Sequence, residues 1–233
     1  MHPDLITIGT FTIHSYGVMV ALAFAVGIMV SLWIGRKEGL KPEKILDAVL
    51  LVMVSSVLGA RLFYIIEFRN NYASFIDITK IWEGGLVFYG GLIFAALALV
   101  WWSRRNGFSF LKILDIAAFP ATLGYAIGRI GCFLNGCCYG IDGHPTQIYA
   151  SLSGLTIFMI LLALRKNKKF KGQLFSIGLI LYSIYRFLNE FLRVNPKYIL
   201  GMSEAQIISI IALIFGVILY AILYRREKEK PAA

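Results

Sequence analysis

The chain has 233 residues, of which 58% are hydrophobic and only 15% are charged. That composition excludes a disordered chain, a coiled coil and an ordinary soluble enzyme, because too little polar surface is present to cover so much apolar material. The net charge of +10 would suit a nucleic-acid partner, but basic residues also crowd the cytoplasmic loops of membrane proteins.

Seven stretches are apolar over roughly the 20 residues that a helix needs to cross a bilayer. They run from 16 to 35, 45 to 66, 86 to 103, 113 to 133, 148 to 165, 172 to 193 and 205 to 224. Short loops with glycine, proline or asparagine separate them, and no stretch is polar enough to form a second, soluble domain. The sequence therefore predicts an all-α membrane protein with a single domain, residues 1–233, built as a seven-transmembrane-helix bundle.

The distribution of basic residues predicts how the helices are oriented. With the N-terminus outside, sixteen of the 23 Lys and Arg residues fall on the cytoplasmic side and four on the opposite side. This excess predicts an outer N-terminus and a cytoplasmic C-terminus. Because topology accounts for most of the charge, we expect a membrane protein with no nucleic-acid partner. The first twelve residues lack the basic segment of a cleavable signal peptide, so we expect the first helix to be retained.

Three arginines, Arg61, Arg129 and Arg186, lie inside these stretches, where each costs at least about 2.5–3.5 kcal/mol to insert. Counted from the cytoplasmic side they share one depth, roughly 21–24 Å, in the outer third of the bilayer. One interpretation is that their long side chains snorkel to the surface from near the helix ends. The other is a cationic site for an anion, and the abundant anion at that depth is a phospholipid headgroup phosphate.

Glu190 follows Arg186 by four residues, which places both side chains on one face of a helix, where they can pair. A purely structural ion pair would explain these two residues alone. Three arginines against one glutamate, however, leave surplus positive charge at this level. That surplus favours a site for an anionic phospholipid.

Two tyrosines reach the same level, Tyr16 at the start of the first stretch and Tyr89 early in the third. Interfacial tyrosines commonly anchor helices in the membrane surface. Glycine pairs stand on both sides of Tyr89, however, and glycine permits unusual turns and close helix contacts. We therefore predict that Tyr89 lines a cavity.

Residues 128–140 hold four glycines and most of the polar groups at the outer end of the fourth stretch. The candidates in this segment are Arg129, Cys132, Asn135, Cys137, Cys138 and Gly140. Irregular backbone at membrane depth survives only where it is buried in protein or lines water, so the segment predicts a site. His144, in the following turn, is a candidate for the same site, although loop histidines are commonly just solvated.

The cysteines allow several interpretations. An oxidising outer face would permit a disulfide from Cys132 to Cys137 or Cys138, and a thiol beside Arg129 could instead be an activated nucleophile carrying a covalent intermediate. The residues could also simply pack near a lipid. Their spacing matches no recognised zinc motif, so the sequence predicts no metal.

Separated motifs run along nearly the whole chain. They are Tyr16-Gly17; Gly59-Ala60-Arg61-Leu62; Trp82-Glu83-Gly84-Gly85 with Phe88 and Gly90-Gly91; Gly128-Arg129-Ile130-Gly131; Phe133 with Asn135 and Gly140; His144-Pro145-Thr146-Gln147-Ile148-Tyr149; and Arg186-Phe187 through Glu190 to Arg193. In residue type and order they resemble the prolipoprotein diacylglyceryl transferase family, bacterial membrane enzymes that attach a lipid to the cysteine of lipoprotein precursors.

The resemblance implies a transferase that moves the diacylglyceryl group of phosphatidylglycerol to the lipobox cysteine of a prolipoprotein, forming a thioether and releasing glycerol 1-phosphate. It implies arginines that hold the phosphate and stabilise the leaving group. The expected catalytic residues are Arg129, Arg186, Tyr89 and Glu190, and the expected substrate-binding residues are Tyr16, Arg61, Asn135, Gly140 and His144. No cofactor is expected, and the implied location is the bacterial inner membrane, with the site towards the outer leaflet.

The chain departs from the family pattern at two motifs. The family reads Phe-His-Gly-Gly, with the histidine as a proposed general base, where this chain has Phe88-Tyr89-Gly90-Gly91. Cys132 and Cys137 stand where the family has asparagine and glutamate. A phenol is a weak base at neutral pH, because its ordinary pKa is about 10. Two alternatives follow: a relative using another acceptor or a cysteine intermediate, or a non-catalytic phospholipid-binding or transport protein.

Overall fold

Helices dominate the computed structural model, which describes residues 4–8, 11–68, 85, 87–198 and 201–229. An antiparallel ribbon of two short strands, β1 (Asp4–Ile8) and β2 (Phe11–His14), comes first and was not predicted from the sequence. The described residues then form α1 (Ser15–Lys37), α2 (Pro42–Glu67), α3 (Phe88–Arg105), α4 (Phe110–Leu134), α5 (Thr146–Arg165), α6 (Gln173–Glu190) and α7 (Glu204–Lys228). All seven predicted helices are confirmed, and their ends differ from the predicted ends by at most four residues.

Five of these helices, α1, α2, α4, α5 and α7, are long and apolar enough to cross a membrane. The other two, α3 and α6, have 18 residues each and carry charges near their C-terminal ends. In α3 these are Arg104 and Arg105, and in α6 they are Arg186 and Glu190. The described helices thus identify a membrane protein with several spans, and the count of seven spans stays a prediction.

The chain divides into two compact units. The first unit, residues 1–34 and 114–233, contains the ribbon, most of α1 and α4, and all of α5, α6 and α7. The second unit, residues 35–113, contains α2 and α3.

Close helix contacts in the first unit depend on small residues and on helix caps. A Cβ at Gly154 of α5 would lie 2.9 Å from the carbonyl oxygen of Thr122 in α4, so only glycine lets these helices approach so closely. Helix α6 packs against both α5 and α7. At the start of α7, Ser203 Oγ accepts a hydrogen bond from the Gln206 N–H (3.3 Å), and the Gln206 side chain accepts one from the Ser203 N–H (3.0 Å).

In the second unit, α2 and α3 touch through their backbones. A Cβ at Gly59 would lie 2.5 Å from the carbonyl oxygen of Gly90, so no side chain fits at this crossing. The Ala60 carbonyl also accepts a hydrogen bond from the Val87 N–H at 3.0 Å, just before α3 begins. Gly59 and Gly90 therefore allow the close approach of these two helices.

Asp115, near the start of α4, holds the first turn of α6. Its buried carboxylate accepts hydrogen bonds from the N–H groups of Gly172 (2.7 Å) and Phe175 (2.9 Å), and Lys168 Nζ lies 3.7 Å away. The first N–H groups of a helix have no partner within that helix. Asp115 supplies two of the missing acceptors from a neighbouring element.

We expect Asp115→Ala to lower the free energy of unfolding by about 1–3 kcal/mol for each stranded N–H, because a buried donor without an acceptor has lost its hydration. Asp115→Asn keeps an acceptor oxygen and should cost less. The melting temperature in detergent, followed by circular dichroism, should fall in the order wild type, Asn variant, Ala variant. Asp47→Ala, at an exposed position of α2, is the control. Equal melting temperatures for wild type and Asp115→Ala would contradict this role.

Candidate active site

A hydrogen-bonded ion network surrounds Glu190, the last residue of α6. Arg186 Nη1 donates to Glu190 Oε2 at 2.6 Å, and Arg193 Nε lies 4.0 Å from the same oxygen. The Ser203 hydroxyl donates to Oε1 at 2.9 Å, and the Asn195 amide donates to that oxygen as well. The predicted pairing of Arg186 with Glu190 is confirmed.

Glu190 is a fixed anion within this network. Both of its carboxylate oxygens accept hydrogen bonds, and only 2% of its side chain is exposed. Charge-assisted hydrogen bonds of this kind are short and directional. The carboxylate therefore holds Arg186, whose side chain is 18% exposed, in a fixed position.

Arg129, in the last two turns of α4, has a different environment. Its guanidinium lies over the Tyr125 ring, 5.0 Å from the ring centroid, and Tyr125 meets Tyr182 of α6 edge to face at 5.3 Å. The side chains with the strongest electrostatic effect on it are tyrosines and cysteines, which are mostly neutral at neutral pH. Among the described residues no carboxylate pairs with Arg129, so its positive charge is uncompensated.

The first unit brings together four predicted site residues, Arg129, Arg186, Glu190 and Tyr16. Tyr182 is within electrostatic reach of both Arg129 and Arg186, which connects the two cations. Tyr16 of α1 is half-exposed and within electrostatic reach of Arg129. It can approach α4 because a Cβ at Gly131 would already lie 3.4 Å from the Tyr16 ring.

The three cysteines lie where α4 ends, and all are free thiols. Cys132 and Cys137 are half-buried, and Cys138 is exposed. Burial, followed by a hydrogen bond to Cys137, raises the pKa of the Cys138 thiol, whereas the charges of Arg193 and Arg129 favour its thiolate. The net direction is upward, so Cys138 is protonated at neutral pH.

The loop after α4 is tied to the segment that follows α6. Gly140 pairs with Arg193 in an isolated antiparallel bridge, and the Ile141 N–H donates to the Leu192 carbonyl at 2.8 Å. The Gly140 N–H donates to the His144 carbonyl, also at 2.8 Å. Gly140 thus holds the cysteine loop beside the Glu190 network.

Two other predicted binding residues, Asn135 and His144, are exposed near this loop. Asn135 directly follows α4. The His144 ring lies beside Tyr149, with 3.4 Å between Nδ1 and the phenolic oxygen. Both are accessible to a molecule that enters from solvent.

We expect Gly140→Ala to destabilise the protein by about 1–3 kcal/mol, the usual cost of overpacking. The added methyl group would meet the Leu192 carbonyl oxygen and lie 2.7 Å from Thr146 Cγ2. Gly128→Ala is the matched control, because a Cβ there meets nothing within 4 Å and alanine favours a helix. Melting temperatures measure the difference. A Gly140→Ala protein as stable as the Gly128→Ala protein would contradict the close approach.

Arg61 and Tyr89 belong to the second unit. Arg61 is 7% exposed and does not snorkel, since its Nη1 donates to the Gly85 carbonyl at 3.2 Å and its guanidinium lies 5.6 Å from the Tyr64 ring centroid. Tyr89 is 42% exposed in the first turn of α3, edge to face with Phe88. Residues 82–84 of the same motif lie outside the described residues.

Sequence reasoning missed three partners of Glu190: Arg193, Asn195 and Ser203. Arg193 follows Glu190 by three residues, and that spacing could have indicated a second ion pair. Ser203 and Gln206 show the capping-box pattern of a helix start, but nothing local indicates that the Ser203 hydroxyl reaches a carboxylate 13 residues away. Tyr125 and Tyr182, which lie around Arg129, had no distinguishing signal among the many aromatic residues.

These features define a helical membrane protein whose first unit holds three guanidinium groups and one carboxylate near tyrosines and thiols, an arrangement suited to an anionic substrate. A family model described as prolipoprotein diacylglyceryl transferase matches residues 3–222. The chain belongs to this family.

Curated relatives agree along most of their length. The phosphatidylglycerol–prolipoprotein diacylglyceryl transferase of Finegoldia magna is 37% identical over 230 residues, covering 91% of this chain and 91% of that protein. Transferase 2 of the same name from Clostridium perfringens is 33% identical, with 90% and 91% covered. The Bacillus licheniformis protein is 34% identical over 257 residues, with 99% and 94% covered. With its apolar helices, the chain is a multi-pass bacterial membrane protein.

Proposed function

We propose that this protein transfers the diacylglyceryl group of phosphatidylglycerol to the lipobox cysteine of a prolipoprotein, forming a thioether and releasing glycerol 1-phosphate. Relatives 33–37% identical to it are named phosphatidylglycerol–prolipoprotein diacylglyceryl transferases. The structural observation that carries the proposal is Arg129, a half-buried guanidinium that no carboxylate compensates among the described residues. Such a cation is suited to a phosphate.

The reaction explains why uncompensated positive charge is useful here. The acceptor sulfur attacks the glyceryl carbon that is bonded to a phosphate oxygen, so a C–S bond forms as a C–O bond breaks. The phosphodiester carries one negative charge, whereas the departing phosphate monoester develops a second. A guanidinium at the phosphate therefore binds the transition state more strongly than the ground state, which is the condition for catalysis.

We assign this role to Arg129 and Arg186, with Glu190 as a positioning residue. Glu190 fixes Arg186 through the 2.6 Å ion pair, so that less side-chain freedom is lost when phosphate binds. Arg129 is steadied by the Tyr125 ring, and its N–H groups have no hydrogen-bond acceptor among the described residues, so they can bind the phosphate oxygens. Tyr16 would contribute a phenol at the same site.

The acceptor proton needs a different route from the one that the family pattern implies. Tyr89 stands at the position of the proposed histidine base, and its ordinary pKa makes it a weak base at neutral pH. A cysteine thiol is itself a few per cent thiolate at pH 7. We propose that Tyr89 hydrogen-bonds the acceptor and that the reaction proceeds through this thiolate fraction, with its proton passing to water.

The remaining predicted residues complete the proposal. Arg61 would act by holding the Gly85 carbonyl, and Gly140 would act by shaping its loop. Asn135 and His144 would bind the substrate at the exposed entrance to the site.

We further propose seven spans with the N-terminus outside, in the bacterial inner membrane, because the basic residues then crowd the cytoplasmic side. This orientation would open the site to the outer leaflet.

A covalent intermediate on a protein cysteine is disfavoured on chemical grounds. Transfer of the diacylglyceryl group to a cysteine of the protein would form a thioether on an unactivated carbon. The second transfer would then have to expel a thiolate from that carbon without the phosphate leaving group. We therefore propose direct transfer to the acceptor.

The test uses purified protein, phosphatidylglycerol labelled in its headgroup and a peptide with a lipobox cysteine. We expect thioether peptide and labelled glycerol phosphate in equal amounts. Both products should form faster at pH 9 than at pH 7. A peptide with serine in place of the cysteine is the control and should give neither product. A protein that binds phosphatidylglycerol but forms no thioether would overturn the proposal in favour of lipid binding or transport.

A further inference from the structure

The three cysteines of the chain form one cluster, although their spacing resembles no zinc motif. Their Sγ atoms all lie within 4.8 Å of one another, and those of Cys137 and Cys138 are 3.4 Å apart. The chain contains no other cysteine, so every thiol that it possesses is in this cluster. The transfer reaction proposed above uses none of them.

The end of α4 explains why the sulfurs converge. The Cys137 N–H donates to the Cys132 carbonyl (3.2 Å) and the Gly136 N–H to the Phe133 carbonyl (3.1 Å), with Gly136 at φ 73°. This pair of hydrogen bonds is the Schellman motif, which turns the chain back over the last helical turn. Cys137 is thereby returned to the side of Cys132 (Sγ to the Cys132 carbonyl oxygen, 3.6 Å).

Two buried side chains at the start of α5 hold the loop in this shape. The Thr146 hydroxyl donates to the Cys138 carbonyl at 2.7 Å, and the Gln147 amide donates to the Cys137 carbonyl. Both residues are 1% exposed. Cys138 itself adopts φ 68°, a left-handed conformation that is unfavourable for a non-glycine residue. The surrounding structure therefore imposes the arrangement of the thiols.

We propose that Cys132, Cys137 and Cys138 bind one thiophilic metal ion, Cu(I) or Zn(II), through three thiolate sulfurs. A metal–sulfur distance of about 2.3 Å requires sulfurs about 3.8–4.0 Å apart in trigonal or tetrahedral geometry. Sulfurs that already lie 3.4–4.8 Å apart reach this spacing by side-chain adjustments well under 1 Å. Each thiol loses its proton to solvent as it binds.

The donor set selects soft cations. Among the described residues the cluster contains thiols alone, without carboxylate or imidazole, and thiolate ligands favour Cu(I) and Zn(II) over Mg(II) and Ca(II). With three thiolates, the site has a net charge of −2 around Cu(I) and of −1 around Zn(II). Arg193 and Arg129, both within electrostatic reach of Cys138, offset this charge. The exposure of Cys138 gives the ion a route from solvent.

The first experiment needs only the wild-type protein, purified in detergent under nitrogen with reductant removed. We expect three thiols per chain to react with N-ethylmaleimide in metal-free protein and to be protected by one equivalent of Zn(II). Titration with Co(II) should give thiolate-to-cobalt charge-transfer absorption that saturates at one ion per chain. Three reactive thiols without protection or charge-transfer absorption would overturn the proposal, and so would a disulfide in protein isolated under these conditions.

Variants then test the three-sulfur site. Cys132→Ser, Cys137→Ser and Cys138→Ser should each weaken Zn(II) binding by at least about 100-fold, because each removes a ligand. His14→Ala, at an exposed position of β2 outside the cluster, is the control and should bind Zn(II) as wild type does. Melting temperatures identify any variant that fails to fold. At that position the cysteine is replaced by alanine instead of serine. A folded variant with one cysteine replaced that binds Zn(II) as tightly as wild type does would overturn the three-sulfur site. Diacylglyceryl transfer is measured separately, so either proposal can fail alone.

Discussion

Arg129→Ala is expected to lower the rate of diacylglyceryl transfer by about 10²–10³-fold, the usual effect of removing one group that stabilises developing negative charge. The guanidinium has no carboxylate partner among the described residues, so its removal leaves no stranded anion and the fold should survive. Rates with labelled phosphatidylglycerol and a lipobox peptide measure the effect, and an unchanged melting temperature shows that folding is intact.

Two further variants separate charge from geometry. Arg129→Lys keeps the positive charge but loses the planar pair of donors, so its rate should fall between those of wild type and Arg129→Ala. Arg104→Ala, at an exposed position in the last turn of α3, is the matched control and should stay within about twofold of wild type. If Arg129→Ala transferred as fast as Arg104→Ala, Arg129 would have no role in the reaction.

Glu190→Gln is expected to lower the free energy of unfolding by about 3–5 kcal/mol, the typical cost of breaking a buried ion pair by removing one partner. The amide keeps an oxygen for Ser203 and Asn195 but leaves Arg186 and Arg193 without their shared anion. The melting temperature should fall together with the transfer rate. A general base would behave differently, because its loss would abolish transfer while leaving stability unchanged.

A control variant and a double variant test the pairing of Arg186 with Glu190. Glu204→Gln removes an exposed glutamate from the first turn of α7 and should cost at most about 1 kcal/mol. In a double-mutant cycle, Arg186→Gln combined with Glu190→Gln should destabilise by less than the two single changes added together. Additive effects would show that Arg186 and Glu190 do not interact.

Local signals predicted much of this protein. The seven helices follow from runs of apolar residues, because a helix is the form in which a lipid-exposed segment satisfies its own backbone. The pairing of Arg186 with Glu190 follows from their spacing of four residues on one helix. The motifs also identified the family correctly, even though Tyr89 and the cysteines depart from its pattern.

Contacts between distant segments could not be predicted in this way. Ser203 donates to Glu190 across 13 residues, and Asp115 accepts from Gly172 across 57, so no periodicity links either pair. The snorkelling interpretation failed for Arg61 because a carbonyl 24 residues away takes its N–H group. Hydrogen-bond partners that are distant in sequence depend on how the helices and loops pack, and local sequence patterns do not show that packing.

By itself, the sequence determined a basic, apolar, multi-helix membrane protein with arginines in places that lipid would not tolerate, because hydrophobicity and charge act through composition and local order. Only the tertiary structure decided that Arg186 is compensated while Arg129 has no carboxylate partner among the described residues, and that three thiols with no motif spacing converge. The reason is physical: compensation and ligand geometry depend on distances in space, and packing sets those distances.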